Sequence, residues 1–375
     1  MSGIYIHIPF CRKACHYCNF HFSTQIEQID PFINALLKEI EIQKDYLNEK
    51  VETIYLGGGT PSLLNSNHLE IILDAIHKNF KVETEFEFTL EANPDDIDLA
   101  KTKMWASKGI NRLSIGIQSF QEEALAWMNR AHNIQQSHNA IRHAQEAGIY
   151  NLSSDLIYGT PHLADDALIR DIEILHQYKI PHISCYALTV EEKTTLHHLI
   201  QENKIENIDT EKQARHFEIV VDHLSKLGFE HYEISNFALP GHQSKHNSSY
   251  WKGKPYLGLG PSAHSFNTKS RQWNIANNAL YIKSLEDKKV PFEIEQLELV
   301  TQYNEYMMIS LRLQEGFSMD VIEERFGIAY LEHTKKITNT LLIEEKIVPT
   351  AEGYTITKKS RFLADGIASE FFIVD

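Results

Sequence analysis

Cysteine is scarce in this chain, with 4 among 375 residues, and no apolar run approaches the ~20 residues that span a bilayer. So few cysteines do not make the disulfide framework that staples small secreted domains. The start, MSGIYIHIPFC, lacks the basic beginning and long apolar stretch of a signal peptide. A reducing cytoplasm is the expected compartment. Basic residues are also short: 36 Lys and Arg stand against 51 Asp and Glu, a formal net charge of −15. That balance argues against a non-specific grip on nucleic acid, which needs a basic footprint. What remains is an ordinary globular composition, 42% hydrophobic and 23% charged, long enough for roughly two to three domains.

The few cysteines are not scattered. Cys11, Cys15 and Cys18 fall in one short stretch, CRKACHYC, while Cys185 sits in HISCYAL, which reads as a buried strand with a structural thiol. Three clustered thiolates suit an iron–sulfur cluster or zinc. On a [4Fe–4S] cluster they hold three irons and leave the fourth open for a ligand. A Cys3His zinc site using His7, His16 or His21 is the alternative, although no second ligand pair follows at finger-like distance.

Strand-like runs alternate with helical spacing through the first half. GIYIHI, VETIYL, FEFTLE, NRLSIGI, YNLSSDLI and HISCYAL are the strands, and residues 31–46, 68–79, 98–107, 136–147 and 165–178 carry helical apolar spacing. Strand–helix repeats of this kind predict an α/β fold with a parallel sheet. Polar or backbone-permissive residues mark the end of every strand: the cysteine loop, GGGTP, Glu91, Gln118, Asp155 and Tyr186. A working face built from many strand ends favours a TIM-like barrel over a single switch point. With six units visible, the expectation is a partial (β/α)6 barrel open on one side. A helix near residues 209–227 follows, then a region rich in Gly, Ser, His and aromatics through about residue 274. The end reads as three helices and a hairpin, IVPTAEGYTIT, a winged-helix-like α+β module whose acidic surroundings argue against DNA. The predicted domains are residues 1–205, 206–290 and 291–375.

YIHIPFCRKACHYC resembles the cluster loop of radical S-adenosylmethionine (SAM) enzymes. The chain is similar, in order, through LGGGTPS, LEANPD, RLSIGIQSF, MNRAH, DLIYGTP, YALTVEEKT, YEISNFA and HNSSYW, to the branch holding the oxygen-independent coproporphyrinogen III oxidases and the HemW heme chaperones. The resemblance implies a radical SAM barrel with a [4Fe–4S] cluster on Cys11, Cys15 and Cys18. SAM would chelate the open iron, and a 5′-deoxyadenosyl radical would follow its reductive cleavage. The cofactor supplies that chemistry and the protein positions it. The same resemblance assigns Tyr5, Gly58, Gly59, Thr60, Glu91, Gln118, Arg130 and Asp155 to SAM, with Arg130 a two-pronged donor to its carboxylate.

Two departures separate this chain from the oxidases it resembles. Phe20 stands where they carry a fourth cysteine, and the sequence opens directly at the first strand. Both features resemble the heme chaperones. That comparison makes His246 the candidate axial ligand of heme, with Tyr250 and Trp251 as packing aromatics and His264 a further histidine to consider. The implied function is a heme chaperone; the alternative is decarboxylation of coproporphyrinogen III, so turnover is left open. Implied ligands are heme or a porphyrinogen. Implied partners are heme acceptors such as respiratory-chain proteins, with transient contact to a membrane protein, oligomerisation as an option, and no nucleic acid.

Overall fold

The computed structural model describes residues 2–374. Its centre is a run of parallel strands, β1 (Ser2–Ile8), β2 (Val51–Gly58), β3 (Val82–Ala92), β4 (Arg112–Gln118), β5 (Asn151–Tyr158) and β6 (His182–Ala187), paired in sequence order. Parallel strands covered on both faces read as near-continuous apolar text. Ile4, Ile6 and Ile8 of β1 and Ile54 and Leu56 of β2 are accordingly fully buried.

Amphipathic helices pack outside the strands. Ser66–Asn79 is representative: Asn65 caps it by accepting from the His68 amide, and Leu69, Ile72, Leu73 and Ile76 form its buried stripe.

The region up to residue 274 holds more regular structure than its composition suggests. β7 (Glu230–Glu233) and β8 (Asn236–Ala238) form an antiparallel pair added to β6. β9 (Tyr256–Leu259) lies parallel to β1 on the other side, followed by antiparallel β10 (His264–Phe266), β11 (Ser270–Asn274) and β12 (Phe292–Gln296). The result is one 12-stranded sheet ordered β12-β11-β10-β9-β1-β2-β3-β4-β5-β6-β8-β7. Its two ends do not pair, so the barrel is open, as the strand count predicted. GLGPSAHSF, residues 258–266, is the end of β9, a turn and β10.

After the helix Leu299–Arg312 come β13 (Phe317–Ser318), helices Met319–Phe326 and Ile328–Ile343, and the hairpin β14 (Ile347–Pro349) and β15 (Gly353–Ile356). This is the element order of a winged helix. A separate apolar cluster holds it together, including Tyr303, Met307, Leu311, Phe317, Leu341 and Phe371. The module sits against the edge strand β7: Leu313 bridges Glu233, and Arg361 donates to His231 Nδ1 at 2.7 Å. An edge strand covered in this way offers less backbone for mispairing. No helix among the described residues is long and apolar enough to cross a membrane.

Candidate functional site

A cavity of about 700 Å³ opens at the C-terminal ends of β1–β6 and is closed on its far side by the C-terminal module. It brings together Cys11, Cys15, Cys18, Gly58, Gly59, Thr60, Glu91, Gln118, Arg130 and Asp155. These residues come from separate strand ends, which a parallel barrel gathers onto one face.

The cysteine loop is pinned from both sides. The Cys11 amide donates to Ser23 O at 3.0 Å, the His16 amide to Met128 O at 3.2 Å, and Asn129 Nδ2 to Ala14 O at 2.8 Å. Two further donors aim at sulfur: Thr60 Oγ1 lies 3.3 Å from Cys11 Sγ, and Arg130 Nη1 lies 3.3 Å from Cys15 Sγ. Burial pushes the Cys11 thiol up to about 11, against the Thr60 hydroxyl, and raises Cys18 as well. Protonated thiols of this kind are poor nucleophiles, and metal loading must release their protons.

The donor set fits a cluster better than one ion. Among the described residues no three His, Cys, Asp or Glu side chains converge on a point as a single ion requires. A cubane, by contrast, places each thiolate on its own iron. Of the histidines of the zinc alternative, His7 has both ring nitrogens engaged, with Tyr5 and His21 O, while His16 and His21 each commit one, to Trp127 O and Asn278.

Gly58 and Gly59 are glycines for geometric reasons. Gly58 has φ +108°, and a Cβ there would enter the His7 ring. A Cβ on Gly59 would lie 2.7 Å from Phe10 O and 2.8 Å from Ile8 O, both backbone atoms that cannot swing aside. Gly59→Ala should therefore lower the unfolding free energy by about 1–3 kcal/mol in a urea titration, because the β1–β2 loop contact must spread.

Glu91 ends β3 within the cavity. Its carboxylate accepts from Tyr55 Oη at 2.7 Å and the Gly58 amide at 3.0 Å. Burial nonetheless pushes it up to about 7, and burial likewise pushes Asp155 up to about 6. Gln118 follows a β-bulge in β4, has φ +66°, and buries an Oε1 with no partner. Unpaired buried polar atoms and raised carboxylates in one cavity mark a place built to receive a polar ligand.

Arg130 does more than the sequence assigned it. Nη2 donates to Asn93 Oδ1 at 2.8 Å and Gly116 O at 2.9 Å, while Nη1 faces Cys15. Only its Nε is left buried and unpaired. Asn93, whose Nδ2 reaches Thr60 at 3.1 Å, ties the glycine loop to Arg130. Asn93 was legible in LEANPD only by its place two residues after Glu91, directly past the same strand end. Gly116 matters too, since a Cβ there would lie 3.3 Å from Arg130 Nη2. Phe217, Phe362, Arg312 and Asp365, also on the cavity wall, carried no local signal.

Five candidates lie off the cavity lining. Tyr5 packs behind it, bonded to His7 Nδ1 at 3.2 Å and 5.9 Å from the Tyr55 ring. His246 is 2% exposed and has both ring nitrogens engaged, Nδ1 with Thr53 Oγ1 at 2.7 Å and Nε2 with Tyr250 Oη at 2.7 Å. Burial pushes its pKa down to about 3, so the ring is neutral. No nitrogen is free for iron in this arrangement; the same short helix that carries the histidine turns it into the sheet. Tyr250 packs on Tyr256, Trp251 touches Arg312 from behind, and exposed His264 lies tilted 6.1 Å from the Trp273 ring. His246→Ala should destabilise the protein by about 2–4 kcal/mol in chemical denaturation, since it leaves two hydroxyls unpaired and a void. A loss near zero would mean that the ring is not held as described.

Residues 5–175 match the model of the Radical SAM superfamily. The chain is 32% identical over 375 residues to a protein of Lactococcus lactis named heme chaperone HemW, covering 100% of this chain and 98% of that one. It is 34% identical to the heme chaperone HemW of Bacillus subtilis, covering 87% of each. Among solved structures, the coproporphyrinogen III oxidase HemN of Escherichia coli, a radical SAM enzyme, superposes with TM-score 0.86 at 21% identity, covering 99% of this chain and 89% of its own. That likeness shows the fold: a radical SAM barrel with its C-terminal module. With strand-end geometry, a three-cysteine loop and near full-length identity in agreement, the chain belongs to the HemW family of the radical SAM superfamily.

Proposed function

We propose that this chain is a heme chaperone: it binds heme beside a [4Fe–4S] cluster and SAM and delivers the heme to acceptor proteins, respiratory-chain components among them, in the cytoplasm. The observation that carries the reading is identity above 30% along essentially the whole chain with proteins named for that role. Phe20 adds to it. It lines the cavity beside the cluster loop and is 67% exposed, placing an apolar ring where the oxidases of the sequence comparison carry a thiol.

In this reading Cys11, Cys15 and Cys18 would hold the cluster, and its chemistry when bound would be one-electron reduction of SAM. Gly58, Gly59 and Thr60 take the methionine end, and Glu91 and Asp155 offer acceptors to its amino and ribose groups. Arg130 steadies the thiolate side through Cys15 and Asn93. The wall beyond, with Tyr186, Leu188, Phe217, Ile234 and Phe362, is apolar and aromatic, as a flat hydrophobic ligand needs.

The test is a pair of assays on protein reconstituted anaerobically. Hemin titration followed by its Soret absorption should saturate at a defined stoichiometry. Incubation with SAM, a strong reductant and coproporphyrinogen III should yield no protoporphyrinogen by chromatography. Turnover at the rate of a known oxidase would replace the chaperone reading with the decarboxylase one, and absence of hemin binding would remove it.

A further inference from the structure

The far wall of the cavity holds a cation with unused donors. Arg312 ends the helix Leu299–Arg312 and lines the cavity with Phe217, Ile234, Phe362 and Asp365. Of its five N–H donors, Nη1 meets Asp365 Oδ1 at 2.5 Å, and Nη2 is 4.0 Å from Glu233 Oε2. The Nε is buried without a partner, and so is Glu233 Oε2. Its guanidinium carbon lies 5.5 Å from the Trp251 ring, which fixes the fork from behind.

The pair with Asp365 is a weak hold. The Asp365 side chain is 65% exposed, and ion pairs so open to water contribute little. A guanidinium with an exposed carboxylate on Nη1, a buried carboxylate no nearer than 4.0 Å to Nη2 and Nε idle has donors left for a bidentate acceptor. Among the described residues that line the cavity, the other cations, Lys13 and Arg130, lie at the cluster end, where Lys13 donates to Arg130 O and Arg130 is committed to Cys15, Asn93 and Gly116. That other end also carries Glu91 and Asp155, which repel a carboxylate. The two guanidinium groups thus stand at opposite ends of the cavity, Arg130 among the SAM residues and Arg312 beside Asp365 and Glu233 at the C-terminal module, with aromatic and aliphatic wall between.

We infer that Arg312 is a carboxylate-binding residue at the far end of the cavity, which takes the acid group of a flat apolar ligand in place of Asp365. Resting on the heme reading above, the acid group is a heme propionate. Asp365 occupies the fork while the site is empty and swings to solvent when the ligand arrives. Trp251 of HNSSYW then senses the ligand through Arg312, although it does not itself line the cavity.

The experiment compares hemin with hemin dimethyl ester, which has no free carboxylate, on the full-length reconstituted protein. Wild type should bind hemin about tenfold tighter than the diester, the worth of one charge-assisted contact. Arg312→Met should lose that tenfold for hemin and leave diester affinity unchanged. Asp365→Asn, an exposed change that does not threaten the fold, should tighten hemin by about twofold to threefold by removing the competing carboxylate. Equal wild-type affinity for hemin and diester would overturn the assignment while leaving heme binding intact. Failure of wild type to bind either would overturn the heme reading itself, and the propionate site with it.

Discussion

Replacing Glu91 with glutamine should stabilise the SAM-free protein by about 2–3 kcal/mol at pH 8 and weaken SAM binding by about ten- to a hundredfold. The two effects share one cause. Burial raises the folded-state pKa of Glu91 from 4.5 to about 7. Between those values the folded chain holds a proton that the unfolded chain has released. Stability associated with this group is therefore fully present below about pH 4.5 and is lost as pH rises through about 7. At about 1.4 kcal/mol for each tenfold change in proton affinity, the rise from 4.5 to about 7 sets a ceiling near 3 kcal/mol above pH 8. An amide carries no charge to desolvate, so the gain from Glu91→Gln should be about 1 kcal/mol or less at pH 5 and reach its full size at pH 8.

SAM moves the other way. Its sulfonium and ammonium favour the ionised carboxylate, so wild-type SAM affinity should rise between about pH 6 and pH 8 and level off above, while the glutamine variant stays flat. Urea unfolding at the two pH values and calorimetric SAM titration across the range read both halves. A glutamine variant no more stable than wild type at pH 8 would show that Glu91 is not strained by burial. The trade of stability for a poised ligand group is common at functional sites.

Glu91 also shows how much of the site could be read in advance. Its position at the end of a strand is a local fact, as are the spacing of the cysteines, the glycines after β2, and Asp155 within β5. The parallel sheet turns such local facts into a shared face, and so these residues converge. What failed to show has a common physical character. β9, β10 and β11 are strands of three to five residues in which alternation has no room to register. His246 was read as facing a ligand, but which way a seven-residue helix turns depends on the sheet beneath it, here Thr53 of β2 and Glu87 of β3, which accepts from the His246 amide at 3.0 Å. Arg312 owes its place to Glu233, Trp251 and Asp365, partners set by docking of the C-terminal module on β7 and not by any nearby pattern.

Replacing Cys15 with alanine should reduce iron from about four atoms per chain to below one after anaerobic reconstitution, with the fold retained. Three thiolates are the whole cysteine complement of the loop, and the histidines nearby are bonded elsewhere. Two thiolates hold a cubane too loosely to survive desalting. The fold should tolerate the change because the Cys15 side chain is half-buried at the cavity and its loop is held by the Cys11 and His16 amides donating to Ser23 O and Met128 O and by Asn129 Nδ2 donating to Ala14 O. Cys185→Ala is the control: that thiol is 2% exposed inside β6 and faces no metal site, so iron content should not move. Hemin titration of the same Cys15→Ala protein then separates the two ends of the cavity. The apolar wall and Arg312 use no cysteine, so hemin affinity should fall by less than about threefold. Iron retained near the wild-type level would remove Cys15 from the ligand set. Loss of hemin binding together with iron would mean that the cluster itself builds the cargo site.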